Sequence, residues 1–79
     1  MTKRTILLAT INDVRDFVDI TRKYDMEIDL ASGRYVVDGK SIMGIFSLDL
    51  LKPIVITAYG DDDVCAKFFA EIEKFIVKE

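Results

Sequence analysis

Short apolar runs and amphipathic stretches alternate along this chain, and the period of each predicts its element. Residues 4–9, Arg-Thr-Ile-Leu-Leu-Ala, are β-branched and aliphatic and read as a buried first strand. Val14, Phe17, Val18, Thr21 and Tyr24 then recur at helical spacing, so one face of a first helix is core. Thr10 or Asn12 can cap that helix, with Asp13 three residues beyond Thr10 in a box-like arrangement. From Met26 to Leu30 apolar and acidic side chains alternate, the period of a half-solvated strand. Ala31-Ser32-Gly33 is turn material before a further strand over Arg34–Val37, which predicts a hairpin.

Asp38-Gly39 is a second turn, after which Ser41 stands as a hydroxyl N-cap ahead of Ile42, Ile45 and Phe46 in a brief amphipathic helix. Gly44 inside it costs about 1 kcal/mol relative to Ala, so the glycine calls for a packing reason. Pro53 closes the region and Ile54–Tyr59 form the last strand. Gly60 and Asp61–Asp63 lead into a final helix whose apolar stripe is Cys65, Phe68, Phe69, Ile72, Phe75 and Ile76. Its three leading aspartates complement the positive end of the helix dipole, and Lys74 and Lys78 lie toward the expected C-terminal end. The order βαββαβα predicts a single α+β domain over residues 1–79, an antiparallel or mixed sheet covered by helices on one face. A ferredoxin-like module shares most of this order but has a full second helix where this chain has a short one.

Composition narrows the function. With 79 residues the chain is one small domain that buries roughly 60–65% of its unfolded surface. Its 51% hydrophobic and 32% charged content is that of a globular protein. There is no His, which removes the commonest metal ligand and the usual general base near neutral pH, and a single Cys cannot form an internal disulfide. A pI of about 4.8 with no dense Lys/Arg stripe argues against nucleic acid. The apolar runs are far below the roughly 18 residues that span a bilayer, and the start lacks a signal-peptide pattern, so the expectation is a cytoplasmic protein without membrane contact. No Gly-rich phosphate loop, Ser/His/Asp set or metal-ligand cluster is visible, so neither catalysis nor a cofactor or metal is expected. Asp61–Asp63 lack the alternate spacing of a calcium loop, and Cys65 reads as core.

One stretch carries more. Gly39-Lys40-Ser41-Ile42-Met43-Gly44-Ile45-Phe46-Ser47-Leu48 closely resembles the KSIMGVMSL segment of HPr, the phosphocarrier family of the sugar phosphotransferase system. Without gaps, Lys23-Tyr24-Asp25 and Glu27-Ile28-Asp29-Leu30 also resemble that family's first-helix end and second strand, and the likeness covers nearly the whole chain. It implies an open-faced β-sandwich with a four-stranded antiparallel sheet in the order 1-4-2-3. It also implies a bacterial protein that takes phosphate from enzyme I on a histidine at the start of the first helix and passes it on. In the gapless register Thr10 stands where the histidine would be, Asn12 where an arginine would be and Asp13 where a proline would be. Asn12 carries no charge, Asp13 and Asp16 would repel a phosphate dianion, and a threonine ester lacks the high-energy P–N bond of a relay.

By the same resemblance Ser41 matches the family's regulatory serine, the substrate of an HPr-type serine kinase whose product joins a LacI-type regulator in carbon catabolite control. Ile42, Met43 and Phe46 match its apolar partner-binding patch, while Ile45 or Leu48 would face the core. The expectation is a regulatory, protein-binding HPr-like protein without phosphotransfer. Two alternatives stand beside it, an ACT-like regulatory module that binds a small ligand between subunits, and a divergent phosphocarrier using Thr10 or an aspartate.

Overall fold

The computed structural model describes residues 1–78. In chain order its elements are β1 (Thr2–Ile6), α1 (Ile11–Thr21), β2 (Glu27–Ser32), β3 (Tyr35–Asp38), α2 (Ile42–Phe46), β4 (Ile54–Tyr59) and α3 (Asp62–Glu71), then a 3₁₀ turn at Glu73–Phe75. The four strands form one sheet in the order β1-β4-β2-β3, every neighbouring pair antiparallel. This is the expected α+β open-faced sandwich.

Period-two alternation sends Ile6, Ile28, Leu30, Ile54, Ile56 and Ala58 to one sheet face. There they join Val14, Phe17 and Val18 of α1, Ile45 of α2 and Cys65, Phe68 and Phe69 of α3 in a single core. Cys65 is buried, its thiol directed at the carbonyls of Ala58 and Gly60. Gly33, at φ +60°, forms the tip of the β2–β3 hairpin, in a backbone region costly for any side chain. Gly44 has the packing reason its helix required: a Cβ there would meet Ser41 Oγ at 3.2 Å and Val37 Cβ at 3.3 Å, where α2 lies on β3.

Several boundaries differ from the sequence reading: Ala31 and Ser32, expected as turn, extend β2, β3 runs Tyr35–Asp38 rather than from Arg34, and α1 ends at Thr21, short of Tyr24. The first strand covers Thr2–Ile6 rather than residues 4–9. Ile6 pairs with Ile54, and beyond Ile54 lies Pro53, which has no N–H to continue the ladder. Leu7 therefore donates its N–H to the Phe75 carbonyl at 2.9 Å, and Leu8 leaves the strand yet stays in the core. The final helix ends at Glu71, so Phe75 and Ile76 do not continue its stripe. The chain tightens into the 3₁₀ turn and runs back along the outer edge of β1, where Ile76 bridges Ile6 and Val77 N–H reaches the Thr5 carbonyl at 2.8 Å. Phe75 meets Phe17 edge to face at 6.2 Å. Lys74 and Lys78 consequently lie beyond the end of α3; they pair with Asp16 at 3.6 Å and Glu73 at 3.2 Å.

Candidate functional site

At the start of α1 the chain makes a helix cap. Thr10 is extended (φ −133°, ψ 164°), and its Oγ1 accepts the Asp13 N–H at 3.0 Å. Asp13 Oδ2 in turn accepts the Ala9 N–H at 3.1 Å, a reciprocal arrangement close to a capping box. The Thr10 hydroxyl is thus engaged in capping, close to the Asp13 carboxylate, and the sequence holds no histidine. A phosphoryl group here would stand against Asp13 without a guanidinium on Asn12 to offset it.

The second helix is built differently. Its N-cap Ser41 is extended and accepts the Gly44 N–H on Oγ at 3.1 Å. Ile45 and Leu48 are buried, as expected, while Ile42 is half-buried against the core. Met43, 79% exposed, and Phe46, 40% exposed, remain open to solvent. Leu51, 94% exposed just beyond the helix, is a further open apolar side chain that the residue pattern did not single out. Its one sequence signal is the surplus of leucines at 48, 50 and 51 in a segment too short to bury all three.

The end of α1 holds this helix in place. Thr21 is buried, and its hydroxyl is 3.0 Å from both the Val18 and the Gly39 carbonyls, tying α1 to the turn that leads into α2. A hydroxyl has one proton, so these two contacts share it. Lys40 donates through Nζ to the Tyr24 carbonyl, and Arg22 donates through Nε to the Lys40 carbonyl at 3.3 Å. Arg22 therefore sits one residue from Ser41, a placement that only tertiary structure reveals. On the far side Glu71 of α3 accepts from Tyr24 Oη at 2.6 Å and pairs with Lys23 at 2.9 Å.

That last cluster sets a pH response. Burial, then the hydrogen bond to Glu71 and its charge, push the Tyr24 phenol up to about 12. The hydrogen bond from Tyr24 and then Lys23 hold the Glu71 carboxyl below its ordinary range. The fold favours the neutral phenol, so Tyr24's contribution is complete below its ordinary value of 10.0 and is lost as pH rises through about 12. Glu71 runs the other way: its contribution is present above the ordinary carboxyl value and is lost as pH falls through the depressed one. In a phenolate absorbance titration, Tyr24→Phe should lack the component near pH 12 seen in the parent protein.

Among the described residues no group of three or more His, Cys, Asp or Glu side chains is placed to hold a metal ion, and no helix is long and apolar enough to cross a membrane.

Fold and site together define a small open-faced sandwich of the phosphocarrier class. The family model described as the PTS HPr component phosphorylation site matches residues 13–78, and the chain belongs to the HPr family. Members of this family are phosphocarrier proteins that work with partner proteins of the phosphotransferase system. Thr10 lies outside the matched stretch, while Ser41 and all of α2 lie within it. Among solved structures, HPr-C-His from Thermoanaerobacter tengcongensis is 26% identical with a TM-score of 0.76, over 94% of this chain and 92% of that one. HPr of Bacillus anthracis superposes with a TM-score of 0.72 at 20% identity over 96% of each chain. The catabolite-repression protein Crh of Bacillus subtilis, described as a swapped dimer, gives 0.64 at 23% identity over 95% of this chain and 88% of that one. The last two likenesses are of fold. No curated protein matches the sequence.

Proposed function

We propose that this chain is a regulatory HPr-family protein of the cytoplasm that has lost histidine phosphotransfer and acts by docking other proteins on the α2 surface, with phosphorylation of Ser41 as its switch. The observation that carries this reading is an asymmetry between two parts of one HPr fold. The start of α1 has a capped threonine amid carboxylates in a chain without histidine, whereas α2 keeps its serine cap beside the exposed Met43 and Phe46. Ile42 completes this patch as its half-buried base.

A phosphate on Ser41 adds roughly 1.5–2 negative charges next to Met43. Arg22, fixed on the neighbouring Lys40 carbonyl, is at hand to pair with it. The patch then presents apolar area with an anion at its rim, which suits a partner carrying a cation beside an apolar pocket. An HPr-type serine kinase as the modifying enzyme and a LacI-type regulator as the reader fit that surface.

Intact mass after incubation with ATP and an HPr-type serine kinase tests the switch. One added phosphate is expected on the parent protein and none on Ser41→Ala; no gain on the parent would leave Ser41 a helix cap. The loss of relay has its own test, because phosphoenolpyruvate and enzyme I should leave the chain unlabelled. Label acquired in that assay and lost in Thr10→Ala would establish a divergent phosphocarrier instead.

A further inference from the structure

β3 is an edge strand with an open side. The β1 edge at the opposite end of the sheet is partly covered by the C-terminal segment, as Thr5 and Leu7 bond to residues 77 and 75. Over Tyr35–Asp38 no bulge, Lys or Pro blunts the strand, the usual defences of a free edge, and Tyr35 (71%) and Val36 (65%) are largely exposed.

The register shows which backbone groups face outward. Gly39 N–H donates to the Ile28 carbonyl at 2.7 Å, in line with the β2–β3 pairing that sets Val37 opposite Leu30 and Tyr35 opposite Ser32. Along a strand, alternate residues turn their N–H and C=O to the same side. Val37 and Tyr35 therefore face β2, as does the N–H of Gly39 in the turn that follows, and Asp38 and Val36 present theirs to the open edge, with Arg34 in the hairpin turn just before the strand. The Asp38 carbonyl accepts the Ser41 N–H at 3.1 Å and keeps a second lone pair.

The segment Arg34-Tyr35-Val36-Val37-Asp38 is self-complementary when it runs antiparallel to itself. We propose that two copies of this chain associate edge to edge through β3, antiparallel and centred on Val36. Val36 then exchanges both backbone bonds with the Val36 of a second copy. Arg34, in the hairpin turn at the start of the strand, comes abreast of Asp38 of the second copy at either end so that their side-chain charges oppose, and Tyr35 lies over Val37 on the helix-bearing face.

Charge favours this register over a slipped one. Asp29 and Asp38 are directly opposite on the open sheet face, a like-charge pair within one copy. The arriving Arg34 offsets part of that repulsion, and a slip of one residue would turn the strand's alternate side chains to the opposite faces. One strand edge buries less area than a standard interface, so the dimer is weak, forming between micromolar and millimolar concentrations.

Sedimentation equilibrium of the full chain over that range, with circular dichroism to verify folding, tests the proposal. A concentration-dependent dimer is expected. Val36→Pro removes an outward N–H and no bond of the β2–β3 ladder, and should abolish association. Arg34→Asp and Asp38→Arg each place like charges face to face and should be monomeric alone, whereas their equimolar mixture restores opposite charges at both ends and should associate at least tenfold more tightly than either. The charge variants decide the matter if Val36→Pro does not fold. A parent protein that stays monomeric at millimolar concentration overturns the proposal, as does a dimer that survives the single charge reversals, or a mixture that gains nothing.

Discussion

Replacing Phe68 by Ala should destabilise the fold by about 3–5 kcal/mol and lower the midpoint of thermal unfolding by roughly 15 °C or more. Phe68 is fully buried on α3 and meets two rings edge to face, Tyr24 at 5.3 Å and Phe69 at 5.1 Å. The rings around the vacated volume cannot shorten to fill it, and Tyr24 is held by its hydroxyl on Glu71, so the cavity persists. A chain of this size has a total stability of about 4–12 kcal/mol, so the loss takes much of what there is. Far-UV circular dichroism on heating gives the shift directly. Phe68→Leu, which keeps most of the volume, should lose far less. The consequence reaches α2, because Tyr24 supplies the carbonyl on which Lys40 rests, one residue before Ser41.

Local pattern carries most of the architecture into view; the hairpin turn is tighter than Ala31-Ser32-Gly33 suggests, and the larger departures share one physical cause. β2, β4 and α1 follow from alternation and helical spacing because each buries one face against the same core. The apolar patterns of β1 and α3 overrun these elements toward their C-terminal ends, and in both cases a non-local partner intervenes. Leu7 turns to Phe75, and Ile76 and Val77 turn to Ile6 and Thr5, none of which is signalled by residues nearby in sequence. The site divides in the same way. Ser41 as a cap, Ile45 and Leu48 as core and Thr10 bonded to Asp13 were legible from short-range spacing. Thr21 sharing its proton with Gly39, Arg22 beside Ser41 and the facing pair Asp29 and Asp38 arise only when distant segments meet.

Gly39 is where that meeting is tightest, and Gly39→Ala should cost about 1–3 kcal/mol by overpacking. A Cβ at this position would stand 2.7 Å from Ile28 Cγ2 and 3.1 Å from the Ile28 carbonyl oxygen. Ile28 is buried in β2, paired with Ala58 on one side and bonded to the Gly39 N–H on the other, and its β-branched side chain has little rotamer freedom. The backbone of Gly39 must therefore retreat, stretching its N–H bond to Ile28 and loosening the Thr21 hydroxyl from its carbonyl. Gly60→Ala is the matched contrast. Its Cβ would fall 2.6 Å from Met26 Sδ, an unbranched thioether in a half-buried position that can swing aside, so the cost should stay below about 1 kcal/mol. Denaturant midpoints at unchanged slope separate the two. Because Gly39 leads directly to Ser41, its displacement also moves the α2 cap. Under the proposed switch, Gly39→Ala should slow phosphate incorporation at Ser41 under folding conditions while Gly60→Ala leaves it unchanged. Equal kinase rates would place α2 outside the reach of this turn.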